Sequence, residues 1–128
     1  MRVRFDIELS LSENSTEAKD IGNATLWKGV NDLMNDGSAR KITLAGSASN
    51  VEVNLNGLSA ARLIGIKTNK TITIKKNSTS GEPWSIQSLG TGALDGIYFI
   101  TTAGITSLYL SNSTAETASV ILFLAGTI

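Results

Sequence analysis

Apolar and polar residues alternate from the start of the chain. Val3, Phe5, Ile7, Leu9 and Leu11 fall on one side of an extended segment, and Arg4, Asp6, Glu8 and Ser10 on the other. A period of two held this long predicts a half-buried strand. A polar, turn-like stretch follows, SENSTEAKDIGN. The next segment, ATLWKGVNDLMNDG, sets Leu26, Val30, Leu33 and Met34 at i, i+4, i+7 and i+8, the stripe of one short helix. Asn23 or Thr25 suits its cap and Asp36-Gly37 its stop, while Gly29 weakens it by up to about 1 kcal/mol relative to Ala.

Beyond Gly37 the pattern changes to short strands with frequent turns. RKITLAG, NVEVNLNG, ARLIGIK, KTITIKK, EPWSIQSL, GIYFIT, ITSLYLS and ASVILFLAG are the candidates. Thr68-Asn69-Lys70 reads as a tight hairpin between two of them. Asp36-Gly37, Asn56-Gly57 and Asp95-Gly96 read as turn dipeptides. With the first segment this makes eight or nine strands at roughly 8–12-residue spacing, which predicts a mainly β protein: an antiparallel sandwich or jelly roll with one short helix. At 128 residues the chain is expected to be a single domain, with residues 1–37 as an amino-terminal strand and helix, or an arm, and residues 38–128 as the β core.

One strand breaks the alternation. Val120 to Ala125 is an unbroken apolar run near the end of the chain. Such a strand needs cover on both faces. It is packed between two layers, or its second face meets another copy of the chain, or it is an exposed edge of the kind proteins normally avoid. Val120, Leu122, Phe123 and Leu124 are therefore candidate interface residues. GIYFIT is the other two-faced strand, so the two are expected to be neighbours.

Composition narrows the chemistry. The chain has no Cys and no His, which excludes disulfides, thiolate metal sites, His-ligated zinc and the Ser-His-Asp and Cys-His constellations. Ser, Thr and Asn make 39 of the 128 residues, types that suit turns and the wet faces of strands. The glycine-bearing SLGTGALDG lacks the Gly-Lys-Ser/Thr ending of a phosphate loop. No carboxylate pair and no calcium-loop spacing stands out. The Asn-x-Ser/Thr triplets at Asn14, Asn23, Asn69, Asn77 and Asn112 read as turn chemistry. The expectation is a protein without enzymatic activity, cofactor or metal. MRVRFDIELSL has no continuous apolar core, so a signal peptide is not expected, and the apolar run near the end is far short of the roughly twenty residues that cross a bilayer.

Charge is balanced overall but unevenly placed. Between Val53 and Gly81 there is no acid and five bases occur, Arg62, Lys67, Lys70, Lys75 and Lys76. They are lysines solvating a hairpin, or a basic patch for an acidic partner surface. No aromatic lies among them, which argues against a nucleic-acid platform. Of Trp27, Trp84, Tyr98 and Tyr109, Trp84 beside Pro83 is the best single candidate for a ligand platform, against the alternative that it pins a loop to the core.

From about Arg40 to Ile128 the texture resembles small virion structural proteins of tailed bacteriophages, carried by LSAARLIGIKTNKTITIKKN and by LDGIYFITTAGITSLYLSNSTAETASVILFLAGTI. In such proteins short apolar strands alternate with Ser/Asn/Thr turns, and the chain closes on a VILFLAG-like strand. The resemblance implies a β-sandwich or jelly-roll protein of the virion, made in the host cytoplasm. Its implied role is capsid decoration, as a homo-oligomer, a trimer above all, bound to the major capsid protein. A tail- or fibre-associated role among tail proteins is the near alternative, and a carbohydrate-binding or host-recognition module using Trp84 is the alternative of another class. Residues 1–37 lie outside the resemblance.

Overall fold

The computed structural model describes residues 3–9, 25–31 and 36–128. Ten strands and no helix occur among them: β1 (Val3–Leu9), β2 (Thr25–Asn31), β3 (Asp36–Leu44), β4 (Val51–Glu52) and β5 (Ala60–Thr68). The second half of the chain adds β6 (Ile72–Lys76), β7 (Trp84–Ile86), β8 (Gly96–Ile105), β9 (Leu108–Ser111) and β10 (Ala118–Thr127). β1 and β2 form a two-stranded antiparallel ribbon. The other eight strands form two four-stranded sheets, β3-β10-β5-β8 and β4-β9-β6-β7, in which every pairing is antiparallel.

This order is a jelly roll. β3 pairs with β10, β4 with β9, β5 with β8 and β6 with β7, so residues 36–76 and 84–127 form one long hairpin rolled into two sheets. Its tip is the Ser/Gly turn that follows Lys76, where Gly81 N donates to Ser78 O at 3.2 Å. Rolling brings both halves of the ribbon around one core. Ile64, Ile66, Val120, Leu122 and Leu124 from one sheet meet Ile72, Ile74, Ile86, Leu108 and Leu110 from the other. These positions alternate along their strands, as burial of one face requires.

The expected helix is absent from the described residues. Thr25–Asn31 is a strand, paired with β1 from Val3 opposite Asn31 to Leu9 opposite Thr25. Leu26 and Val30 are four apart, a spacing that suits a period of two as well as 3.6, and Gly29 with β-branched Thr25 and Val30 weighs against a helix. Asn23, Leu33 and Met34 lie outside the described residues. Asp36-Gly37 stops nothing: it opens β3, opposite Gly126 and Ala125. The Thr68–Lys70 turn joins β5 to β6 in the opposite sheet and so is a crossover, not a hairpin. Asn56-Gly57 does turn as expected. Both residues have positive φ, 56° and 87°, and Leu58 N donates to Leu55 O at 3.2 Å, closing a mirror-image turn that Asn and Gly tolerate best.

One buried polar side chain ties the closing turns together. Asn112 is fully buried. Its amide nitrogen donates to Ala45 O at 3.1 Å and Glu116 O at 2.8 Å, and its oxygen accepts from Thr114 N at 3.1 Å and Thr114 Oγ1 at 2.7 Å. The loops after β3 and β9 are thereby pinned to each other without a strand pair. Asn112→Ala leaves those buried groups unpaired and is expected to cost about 3 kcal/mol in urea unfolding. A loss below about 0.5 kcal/mol would show that the turns hold without it.

Candidate binding face

β10 is an inner strand, hydrogen-bonded to β3 on one side and β5 on the other. That excludes the exposed-edge reading of the apolar run. Val120, Leu122 and Leu124 are buried at the centre of the core, so they are not interface residues: the period of two turns them inward against the second sheet. Of the four candidates only Phe123 faces outward, together with Ile121 and Ala125.

The outer face of the β3-β10-β5-β8 sheet can be read row by row. One row runs Lys41, Ile121, Lys67, Ile97 and the next Ala39, Phe123, Gly65, Phe99, followed by Gly37, Ala125, Leu63, Thr101. Leu63 and Ala125 are covered, with Phe123 packed against them. Ile97 is 67% exposed, Phe99 39% and Ile121 37%. β8 and β10 are not neighbours, since β5 lies between them. A Cβ on Gly65 would meet Phe123 Cβ at 3.5 Å and the Phe99 ring at 3.8 Å. Gly65 therefore leaves a shallow saddle between two aromatic side chains, and an apolar strip crosses the sheet where a solvated face would carry polar residues.

The rim of this strip is cationic. Lys41 and Lys67 flank Ile121. At the other end the register shifts between Ala61 and Leu63 and between Ala125 and Gly126. There Arg62 Nε donates to Thr127 Oγ1 at 3.0 Å and its Nη1 to Ala103 O. Gly126 is required at the shift, because a Cβ there would sit 2.0 Å from Ala60 O. No carboxylate occupies an outward position of the four strands.

The five clustered bases do not form the expected patch. β5 and β6 lie in different sheets, so proximity in sequence becomes separation in space. Arg62 and Lys67 belong to the outer face just described. Lys70 pairs with Glu116, and Lys75 Nζ donates to Asn50 Oδ1 at 3.2 Å and Thr79 O at 3.0 Å. Lys76 turns to the open side of the sandwich, where its Nζ lies 3.3 Å from the Tyr98 hydroxyl and 5.2 Å from the centre of the Trp84 ring. Trp84 itself is half exposed, on the edge strand β7.

Asp95 and Glu116 do local work. Asp95 closes the loop after β7: its carboxylate accepts from Thr91 Oγ1 at 2.7 Å, Ser88 Oγ at 3.0 Å and Leu89 N at 3.1 Å. These bonds, the Thr91 hydroxyl foremost, hold its carboxyl below the usual range against a smaller opposing effect of desolvation. Glu116 is lowered by its hydrogen bond and charge attraction to Lys70. Among the described residues no group of three or more acidic side chains is placed to hold a metal.

The sequence pattern does not single out Ile97, Phe99, Ile121 or Lys41. Ile97 and Phe99 alternate with Tyr98 and Ile100, which pack against the core, so an apolar residue stands at every position and the outward set is hidden. Lys41 lies twenty-one residues before Arg62, the first of the bases it joins in space.

No protein-family model matches the sequence, and no curated protein matches it. Solved structures of similar shape do. The cupin domain of Schizosaccharomyces pombe Cnp3 aligns over 98% of this chain and 83% of its own, at 10% identity and a TM-score of 0.48. A subunit of the Bacillus endospore appendages, a family of disulfide-linked pili, aligns over 73% and 88%, at 13% identity and 0.46. CsCBM6-3 from Clostridium stercorarium, solved with cellobiose, aligns over 98% and 87%, at 14% identity and 0.30.

Depressed carboxyl pKa values fix the sign of a pH dependence. Asp95 and Glu116 stabilise the fold above their unfolded pKa values, around 4, and that contribution is lost as pH falls through the lower folded values. The thermal midpoint is expected to drop below about pH 4, and to drop less in Asp95→Asn. Equal acid sensitivity of the variant and the parent protein would show that the loop carboxylate contributes nothing.

Proposed function

We propose that this chain is a non-enzymatic structural protein of a tailed-phage virion, of the capsid-decoration kind, and that it docks through the outer face of the β3-β10-β5-β8 sheet. The observation that carries the reading is the apolar strip of Ile97, Phe99, Phe123 and Ile121 inside a rim of Lys41, Lys67 and Arg62. Apolar area supplies the affinity of such a contact, and the rim supplies orientation and choice of partner. The matching surface is an apolar patch edged with carboxylates on the shell protein. Two copies of this chain set face to face on the strip would bring cation against cation, a costly arrangement. Self-association into the trimer that the phage resemblance implies would therefore use another surface.

The test is add-back of the purified chain to phage heads assembled without it, followed by sedimentation. The parent protein is expected to saturate the shells at a fixed copy number. Ile97→Asp and Lys67→Glu, each with a native circular dichroism spectrum, are expected to weaken binding by about tenfold or more, with the charge reversal also reducing its salt dependence. Binding to tails but not to heads would move the role to the tail-associated alternative. Shell binding unaffected by both variants, or no binding to any part of the particle, would overturn the reading.

A further inference from the structure

A second site lies away from the docking face, where the open edges of the two sheets meet. β7 ends one sheet and β8 the other. Trp84 stands opposite Ile74 in the register, and Lys76 is two residues beyond Ile74 on the same side of β6. Tyr98 reaches the same place from β8. The Lys76 ammonium sits 5.2 Å from the Trp84 ring centre and 6.0 Å from that of Tyr98, with the Tyr98 hydroxyl 3.3 Å away. Lys76 and Tyr98 are partly buried, yet Trp84 stays 50% exposed.

We infer that Trp84, Lys76 and Tyr98 form a binding site for an acidic sugar residue, a pyranose bearing a carboxylate. The exposed indole offers a flat apolar surface to the C–H face of a sugar ring. Lys76 supplies a positive charge that meets no carboxylate among the described residues, and because the Tyr98 oxygen accepts a hydrogen bond from it, the Tyr98 O–H is left to donate. Two donors beside an aromatic plate call for a ligand with an acceptor-rich, negative group next to an apolar ring face. A cationic ligand is excluded by the ammonium already over the rings. A nucleic acid strand needs a row of cations along its backbone and successive stacking rings. Here one ammonium serves one exposed ring, while Lys70 and Lys75 are engaged elsewhere and Lys67 lies on the other sheet's outer face.

Calorimetric titration of the full chain with hexagalacturonate, sialyllactose, neutral cellohexaose and a thymidine dodecanucleotide tests the site. At least one of the two acidic glycans is expected to bind saturably, and cellohexaose at least tenfold more weakly. Trp84→Ala is expected to lower the affinity about tenfold or more, Trp84→Phe to retain most of it, and Lys76→Gln to lower it about fivefold and flatten its salt dependence. Each variant is checked for a native spectrum, and Trp84→Phe, which keeps a ring in place, guards against a loss caused by misfolding. The inference is overturned if neither acidic glycan binds, if cellohexaose binds as well, if natively folded Trp84→Ala binds unchanged, or if the oligonucleotide is the ligand that depends on Trp84. None of these variants touches the docking face, so its fate and that of this site are read separately.

Discussion

The structure depends on how β10 is held. It is hydrogen-bonded to β3 and β5 along nearly its whole length, and that register sets which of its residues meet the second sheet. A slip by one residue would carry Val120, Leu122 and Leu124 out to solvent and drive Ile121 and Phe123 into the core. Fixing the strand on both sides makes one set of side chains structural and leaves the other set for the outer face. An apolar strand near the end of the chain can therefore hold the fold together and still present an unusual surface. The bulge before Gly126 ends the arrangement, and Arg62 bridges β10 to β8 at that point.

Much of the remaining order comes from short polar side chains acting on turns. Asn112, Asp95, Asn69 and Asn77 each accept or donate hydrogen bonds that a strand would otherwise provide: Ser119 N donates to Asn69 Oδ1 at 2.8 Å, and Thr106 N to Asn77 Oδ1 at 2.9 Å. A rolled ribbon has many crossovers and each leaves backbone groups to be paired. The abundance of Ser, Thr and Asn answers that need. Among the described residues no buried side-chain polar atom is left without a partner. The outer face of the β3-β10-β5-β8 sheet and the cluster around Trp84 are both built from strands.

The strands of the sandwich were legible because most of them alternate, as in Val51-Glu52-Val53 and in Ile72-Thr73-Ile74. The jelly-roll class followed from their number and spacing. What sequence did not disclose was pairing. Thr68-Asn69-Lys70 carries turn chemistry whether the chain folds back or crosses to another sheet, and that ambiguity made a basic patch of residues that the fold separates. The helix expected around Leu26 and Val30 failed for a related reason: a spacing of four fits both periods, and local pattern cannot decide when a strand partner is available. Phe123 faces outward while Val120, Leu122 and Leu124 face the core, and the sequence groups the four together because an unbroken apolar run conceals its two faces.

The division of β10 into a structural face and a free face is tested most directly by urea unfolding of Ile121→Asp beside Leu122→Asp. The two substitutions are adjacent, identical in chemistry and opposite in direction. Ile121→Asp is expected to remain cooperatively folded, with a loss of about 1–2 kcal/mol, whereas an unpaired charge at Leu122 is expected to leave the chain unfolded in buffer. Equal losses from both, or a folded Leu122→Asp protein, would contradict the assignment of faces on which the account rests.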